Sequence, residues 1–552
     1  MNLRRHNRLA TIGAGLSAVL VIVASACGTQ SDLEKNGGKG STLTIQGDVG
    51  SPSLVDNFNP LLTTSLHGTV LIYEPLDIRS PIDGTYTPVL ATGFSFTNPK
   101  TLVYAIRSNV KWSDGKALTP ADVVFTYNLL KRFPALDSSD VWSQISTVTS
   151  SDDKVTFTFN TANVPFAGVL SNVPIVPEHL WSSIKDPTKY ANTRPVGTGP
   201  YTLQSYAPTK YMLQKNTNYW QASKIVPLHV AFPGQPPDQH TIRLRVTNGD
   251  FDWSYQFLPD VQKTYVSKST SHVYWYPPRD AIGLFLNLTR APYSDQNFRR
   301  GISLALNRTS IAAKAVNGYL TQASQSGLIL PNLKRWLDPS IPHQGNVAPS
   351  KSAALAAFGK AGYTTNGGKL QKDGDPVTMT IVVPNSYADW VAAAKEIGTE
   401  LGAVGIKVTL NLPQIAQYTE EIQSGTFDAA LAGFGGTGDP ATDFNNALNS
   451  RFAAPVETAT AKNFERFKSP LADRALATLA ATTDKQAQLR ATYQLEQIMY
   501  QQTPIVMLYY GGSWGVFSTK KFKGWPSAKD PYALPTSYNN MMLIVLTHLT
   551  AA

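Results

Sequence analysis

The sequence predicts a multidomain α/β protein. Its 552 residues exceed one ordinary domain, and usual domain sizes suggest two to four. Strand and helix patterns alternate between about residues 284 and 507, as a single α/β lobe requires, while the N-terminal third is richer in strands. With 42% hydrophobic and 16% charged residues, 39 Gly and 37 Pro, the composition fits a globular chain and excludes a disordered, collagen-like or coiled-coil one.

Charge and cysteine usage narrow the classes. With 48 basic and 38 acidic residues the formal charge is +10. Arg4, Arg5 and Arg8 lie in a segment expected to be removed, which leaves about +7 on a very long chain. That is too dilute to call for nucleic acid as a partner. One cysteine in the whole chain excludes intramolecular disulfides, zinc ribbons and thiol redox pairs.

The N-terminus carries the first functional clue. Arg4, Arg5, His6 and Arg8 form a basic region, an apolar run covers residues 9–23, and Ala24-Ser25-Ala26-Cys27 follows. This is the three-part layout of a secretory signal, here residues 1–26. Small residues directly before the only cysteine resemble a bacterial lipobox, which implies lipidation of Cys27 and cleavage ahead of it. The alternatives are a signal peptide with an incidental cysteine, or a short membrane anchor. Residues 27–41 then read as a polar, Gly-rich tether. No other stretch approaches the ~18 apolar residues of a spanning helix, so the body after about residue 42 is expected to work outside the cytoplasmic membrane, lipid-anchored to its outer face.

Along the body, residues 43–45 begin a strand and 102–112 alternate as another, with a turn at Ser113-Asp114-Gly115. Thr119, Pro120 and Asp122 mark a helix start: a capping hydroxyl, a proline at the first position and an acid closing the box. Val123, Val124, Tyr127 and Leu130 give that helix its apolar stripe. A strand over 154–160 turns Val155, Phe157 and Phe159 inward, residues 195–201 form a turn cluster, and Gly249 to Trp253 end a strand in a loop. Residues 282–288 read as a buried strand. Helices follow at 295–307 and 310–317, with Ser294 and Thr309 as caps, and at 351–361, stopped by Gly362. A strand at 377–383, a helix at 390–404 and a strand at 406–410 complete the alternation; residues 331–349 are a long irregular loop.

Motifs for chemistry are missing. The eight histidines, at 6, 67, 179, 229, 240, 272, 343 and 548, never pair at the i, i+4 spacing of a helical metal site. There is no G-x-S-x-G elbow and no Walker A sequence. Gly433 to Gly438 formally match G-x-G-x-x-G, but Asp439-Pro440 is expected to intervene before any helix, which a dinucleotide site would need to open at once. The segment reads as a strand-end loop, the place where α/β folds hold ligands. Nothing selects a carboxylate pair for glycoside cleavage. What the chain does offer is aromatic surface, with 10 Trp, 24 Tyr and 22 Phe. An exported, aromatic-rich chain without catalytic motifs suits a solute receptor, with no catalytic residue, metal or cofactor; the competing class is a secreted hydrolase.

Tyr73-Glu74-Pro75-Leu76, Pro88-Val89-Leu90-Ala91 and residues 104–127 closely resemble family 5 extracellular solute-binding proteins, the dipeptide, oligopeptide and nickel receptors of ABC importers. The resemblance continues at Pro177 to Trp181, Gly197 to Tyr201, Asn218-Tyr219-Trp220, Gly249 to Trp253, Phe298 to Ile302, Ala361-Gly362-Tyr363, Gly425 to Asp428 and Pro504-Ile505. It implies a large periplasmic-binding-protein-like fold of three domains in two lobes. A split lobe I would hold residues 42–75, 195–283 and 508–552, a domain of 76–194 would be inserted in it, and an α/β lobe II would hold 284–507. Two connecting strands, near 282–287 and 505–511, would make the hinge. Ligand would be enclosed by closure, with no bond made or broken, and delivered to the permease and ATPase of the importer by a monomer.

In peptide-binding members a carboxylate just after a strand-end Gly-Trp holds the peptide amine. Here Phe434 takes the aromatic position, Thr437 that of the acid, and Asp439 lies two residues on. Either Asp439 anchors an oligopeptide or dipeptide, the first expectation, or the ligand is a neutral oligosaccharide, which Asn57-Phe58-Asn59-Pro60 also suggests. The resemblance therefore places Thr64 and Leu66 of one lobe against Phe434, Thr437 and Asp439 of the other; Trp253, from the Gly249 to Trp253 loop, is a further cleft candidate, with core packing as its alternative.

Overall fold

The computed structural model describes residues 42–48 and 52–552; the expected signal peptide, Cys27 and the tether lie outside the described residues. Among the described residues no helix is long and apolar enough to cross a membrane.

Two large cores divide the body. The first runs from Leu43 through Leu102, Phe157 and Val230 to Phe517 and Met542. One of its sheets pairs Thr42–Thr44 in parallel with His229–Pro233, which continues antiparallel through Lys210–Lys215 to Tyr201–Ala207. Another orders Ala91–Asn98, Thr101–Ile106, Lys154–Phe159 and Ile145–Ser151, all antiparallel. The helix Pro120–Arg132 packs on it, with Tyr127 edge-on to Phe157 at 4.7 Å. Its start forms as the sequence indicates: the Thr119 amide donates to Asp122 Oδ2 at 2.8 Å, closing a capping box ahead of Pro120.

The second core surrounds a five-stranded sheet ordered Lys407–Asn411, Thr378–Val382, Ala429–Phe434, Pro278–Leu286 and Ile505–Gly512. The first three strands are parallel; Pro278–Leu286 runs antiparallel to both of its neighbours. Strands buried on both faces need continuous apolar runs, and Ile505–Gly512 is buried at every position.

Several local expectations need correction. The strand expected over 102–112 stops at Ile106, because Asn109 takes a left-handed φ of 62° and the Trp112 amide turns to the Lys116 carbonyl. The helices Gln296–Ala305 and Arg308–Val316 are capped by Asp295 and Asn307, whose side chains reach the first-turn amides, not by Ser294 and Thr309. Gly249 follows a helix, Gln239–Thr247, and leads into the strand Trp253–Tyr255; it does not end a strand. A helix does open directly after the glycine run: Asp439-Pro440 starts Pro440–Leu448 as N-cap and first residue.

The segments expected as connecting strands lie within the five-stranded sheet. Ile282, Leu284, Phe285 and Leu286 pack in the second core, as do residues 505–510. The two strands leave the five-stranded sheet at Pro278 and Gly512, where the Ser513 amide bonds the Pro277 carbonyl. They pair again as His272–Trp275 and Gly515–Ser518 in a three-stranded sheet with Trp253–Tyr255. A register shift between Pro278 and Asp280 marks the crossing.

Candidate functional site

The site is built from a glycine loop on one body and a tight turn on the other. The buried strand Ala429–Phe434 ends in Gly435, Gly436 and Gly438, with φ of 77°, 95° and 74°. The loop needs glycine for a second reason: a Cβ on Gly438 would stand 2.4 Å from the Ser80 carbonyl. The turn after the strand Asp77–Arg79 thus lies with its backbone directly on the loop. Beyond it, the Arg335 guanidinium donates to the Asp83 carbonyl.

At the centre of this contact Arg79 Nη1 lies 3.1 Å from Asp439 Oδ2, and the two side chains keep only 13% and 11% of their exposure. Burial opposes the Arg79 charge, and Asp439, with Tyr86 and Asp443 adding to it, outweighs that and holds the guanidinium above its ordinary pKa. Asp439 does double duty: its Oδ1 accepts from the Ala441 amide and its Oδ2 from the Thr442 hydroxyl at 2.7 Å, capping the helix Pro440–Leu448. Thr437 Oγ1 donates to Asp443 Oδ1 at 2.7 Å. Burial pushes the Asp443 carboxyl up to about 7, with the Thr437 hydrogen bond pulling against it and the Asp439 charge adding to it.

Beside the ion pair a cavity of about 410 Å³ opens between the two bodies, lined among others by Arg79, Val169, Thr437, Thr442, Tyr538 and Asn540. Among the described residues Arg79 is the one charged side chain on its wall, and Asp439 already neutralises it. The rest of the polar lining is hydroxyl and amide, suited to binding by neutral hydrogen bonds. Towards the crossing strands, Arg279 Nη1 donates to the Tyr538 hydroxyl at 3.0 Å and pairs with Asp280, while Tyr538 stands edge-on to Tyr255 at 5.0 Å. Among the described residues no cluster of three His, Cys, Asp or Glu side chains could hold a metal ion.

Of the residues expected at the cleft, the structure brings Thr437 to the cavity wall and Asp439 to the contact beside it. The others lie elsewhere. Trp253 is fully buried, bonded through Nε1 to the Pro535 carbonyl at 3.1 Å and packed against Phe517 and Trp525; it belongs to the first core. Phe434 is buried in the second core near Phe444, and Leu66 in the first. Thr64 is exposed on its loop and accepts from Asn57 Nδ2; it does not line the cavity. Sequence reasoning missed Arg79, Val169 and the segment 538–541. Arg79 lies only three residues beyond the Tyr73 to Leu76 motif, yet its partner is 360 positions away, a pairing no spacing rule reveals.

Residues 85–454 match the bacterial extracellular solute-binding proteins, family 5 Middle. Protein XP55 of Streptomyces lividans is 25% identical over 90% of this chain and 89% of its own length. The oligopeptide-binding protein AppA of Bacillus subtilis is 22% identical over 92% and 94%. Among solved structures, a periplasmic oligopeptide-binding protein of an ABC transporter from Thermotoga maritima superposes with a TM-score of 0.85 at 25% identity, over 94% of this chain and all of that one. The mannohexaose-bound structure of that protein gives 0.77 at 26% identity, over 93% and 99%.

Proposed function

The chain belongs to the family 5 bacterial extracellular solute-binding proteins, and on that premise we propose that it is the receptor of an ABC importer, closing two lobes over an oligopeptide and presenting it to the permease and its ATPase. The observation that carries this reading is the Arg79–Asp439 ion pair, which joins the two bodies over a cavity walled by both. A ligand that touches both walls stabilises the closed arrangement in proportion to those contacts and needs no chemistry. The proposed lobes follow the two cores: residues 42–75, 195–283 and 508–552 with the inserted 76–194 on one side and 284–507 on the other, the boundary at the crossing moved to Pro278 and Gly512. The names of the Bacillus and Thermotoga relatives support an oligopeptide.

One observation favours a second reading, an oligosaccharide. The acid expected to hold a peptide amine is already committed to Arg79, and the cavity wall is otherwise neutral. The mannohexaose-bound relative supports this. Binding, not hydrolysis, is the role in either reading, since the wall supplies amides, hydroxyls and one paired cation. We further propose a lipid anchor at Cys27, which an unmodified N-terminal fragment from the native membrane, seen by mass spectrometry, would refute.

Calorimetry with a pooled peptide library and a pooled oligosaccharide library tests the function. Saturable binding of one pool, with no product released from it, is the expected result. Binding of neither pool, or turnover of either, would defeat the receptor reading for these solutes.

A further inference from the structure

Arg79 has a second acid close by on its own body. Asp77 stands two residues earlier on the strand Asp77–Arg79, so the two side chains leave the same face of it. Aromatic rings wall that face. Tyr86 lies opposite Arg79 in the neighbouring strand, its ring centroid 5.4 Å from the guanidinium carbon. Phe94 and Tyr104 continue the wall, at 4.9 Å from Tyr86 to Phe94 and 5.2 Å from Phe94 to Tyr104. The Arg79 side chain also lies along Gly168, where a Cβ would come within 2.6 Å of Nη1. The guanidinium therefore rests on its own body and reaches Asp439 with Nη1.

Asp77 is left without a partner in this arrangement. It keeps 2% of its exposure, and among the described residues neither of its carboxylate oxygens makes a hydrogen bond. The Tyr104 hydroxyl and Arg79 Nε are buried and unbonded as well. Unmade bonds at buried groups are costly, so this cluster is arranged for a contact that it does not make while Arg79 is engaged with Asp439.

We propose that Asp77 is a positioning residue that holds Arg79 when the lobes part, so that one guanidinium exchanges between Asp77 of its own strand and Asp439 of the other lobe as the protein opens and closes. The proposal rests on the receptor reading and adds a competitor to it. Closure must take Arg79 from Asp77, and the strength of that pair sets how readily a solute shuts the lobes.

The exchange also moves a proton. In the closed arrangement burial pushes the Asp77 carboxyl up to about 7, with the Tyr104 hydroxyl and the Arg79 charge pulling against it. Paired with Arg79 in the open arrangement, Asp77 ionises more readily, so closure takes up a proton. Tyr86, Tyr104 and Tyr127 also face this cluster, and burial keeps all three neutral. Asp443 faces Arg79 and Asp439 from the second lobe. The Asp77 contribution thus favours closure below about pH 7 and loses that effect as pH rises through 7.

Spin labels test this on the whole mature chain, placed on Asp152→Cys and Lys485→Cys with Cys27 replaced by Ser. Pulsed electron resonance then reads the concentration of a pooled peptide or oligosaccharide library that half-closes the protein. Asp77→Asn removes the competitor, so at about pH 8 half-closure should need at least about tenfold less of the binding pool than in wild type, the worth of one pKa unit. That advantage should shrink as pH falls to about 5, a comparison in which Asp443 titrates in both proteins. In Arg79→Met protein, which has no guanidinium to exchange, Asp77→Asn should leave the half-closing concentration unchanged, whereas a merely structural Asp77 would show its effect there too. Asp443→Asn supplies a reading that does not depend on the Asp77 variant folding: its half-closing concentration should fall at least about tenfold between about pH 8 and 5. A flat profile there, equal half-closing concentrations in wild type and Asp77→Asn, or an Asp77→Asn effect that survives in Arg79→Met overturns the exchange and leaves the receptor reading standing. Distances that answer to neither pool contradict the receptor reading and the exchange with it.

Discussion

Arg79 and Asp439 meet at 3.1 Å across the seam between the two lobes, nearly desolvated, with the backbone of residues 80–84 pressed on the glycine loop beside them. On the proposed closure of two lobes, such a pair acts only in the closed arrangement, because opening would return both groups to water. Under that proposal the pair serves as a latch, and its effect on binding would run through the cost of closure.

Breaking the latch from one side should weaken every ligand. Asp439→Asn leaves a buried guanidinium without its carboxylate, a penalty of about 3–5 kcal/mol, so affinity should fall by about a hundredfold or more for a peptide or a sugar alike. Replacing both partners with apolar residues, Arg79→Met with Asp439→Leu, removes the penalty and should restore most of the affinity by calorimetry. A double variant that binds sugars but not peptides would instead identify Asp439 as an amine anchor.

Asp443 gives the protein a pH signature. Its folded pKa of about 7 stands above the ordinary carboxylate value near 4, so the folded chain holds that proton more tightly than the unfolded one. The stabilisation is complete below about pH 4 and is lost as pH rises to about 7, with an upper limit of about 4 kcal/mol. Asp443→Asn keeps an acceptor for Thr437 and does not titrate. The melting temperature of the variant minus that of wild type should rise between pH 4 and 7 and then level off; a flat difference would rule out the buried-acid account.

Trp253 separates packing from recognition. Truncating a fully buried indole to alanine should cost about 3–5 kcal/mol of stability, while the fraction that remains folded binds ligand as wild type does. Loss of affinity at unchanged melting temperature would return Trp253 to the binding site.

How far the sequence reveals this molecule depends on the range of the interaction. Local rules located the Thr119–Asp122 capping box, the inward Val155, Phe157 and Phe159, and the Gly362 stop, because each is settled within a few residues. The same rules misread residues 102–112, whose alternation persists beyond the point where Asn109 turns the chain. At the site, Thr437 was legible through its place in a strand-end loop, whereas Arg79 was not. Phe434 was drawn to the cleft by family position, and Trp253 took the packing alternative that its loop also allowed, since aromatic residues near a ligand loop are as readily claimed by the core behind it.

Closure is the central claim, and distance measurement tests it most directly. Spin labels on Asp152→Cys in the inserted region and Lys485→Cys in the second lobe, with Cys27 replaced by Ser, would report the separation of the two bodies. Pulsed electron resonance should give a broad or long distribution without solute and a single short distance once a binding pool is added. An unchanged distribution at saturating solute would contradict enclosure between the lobes.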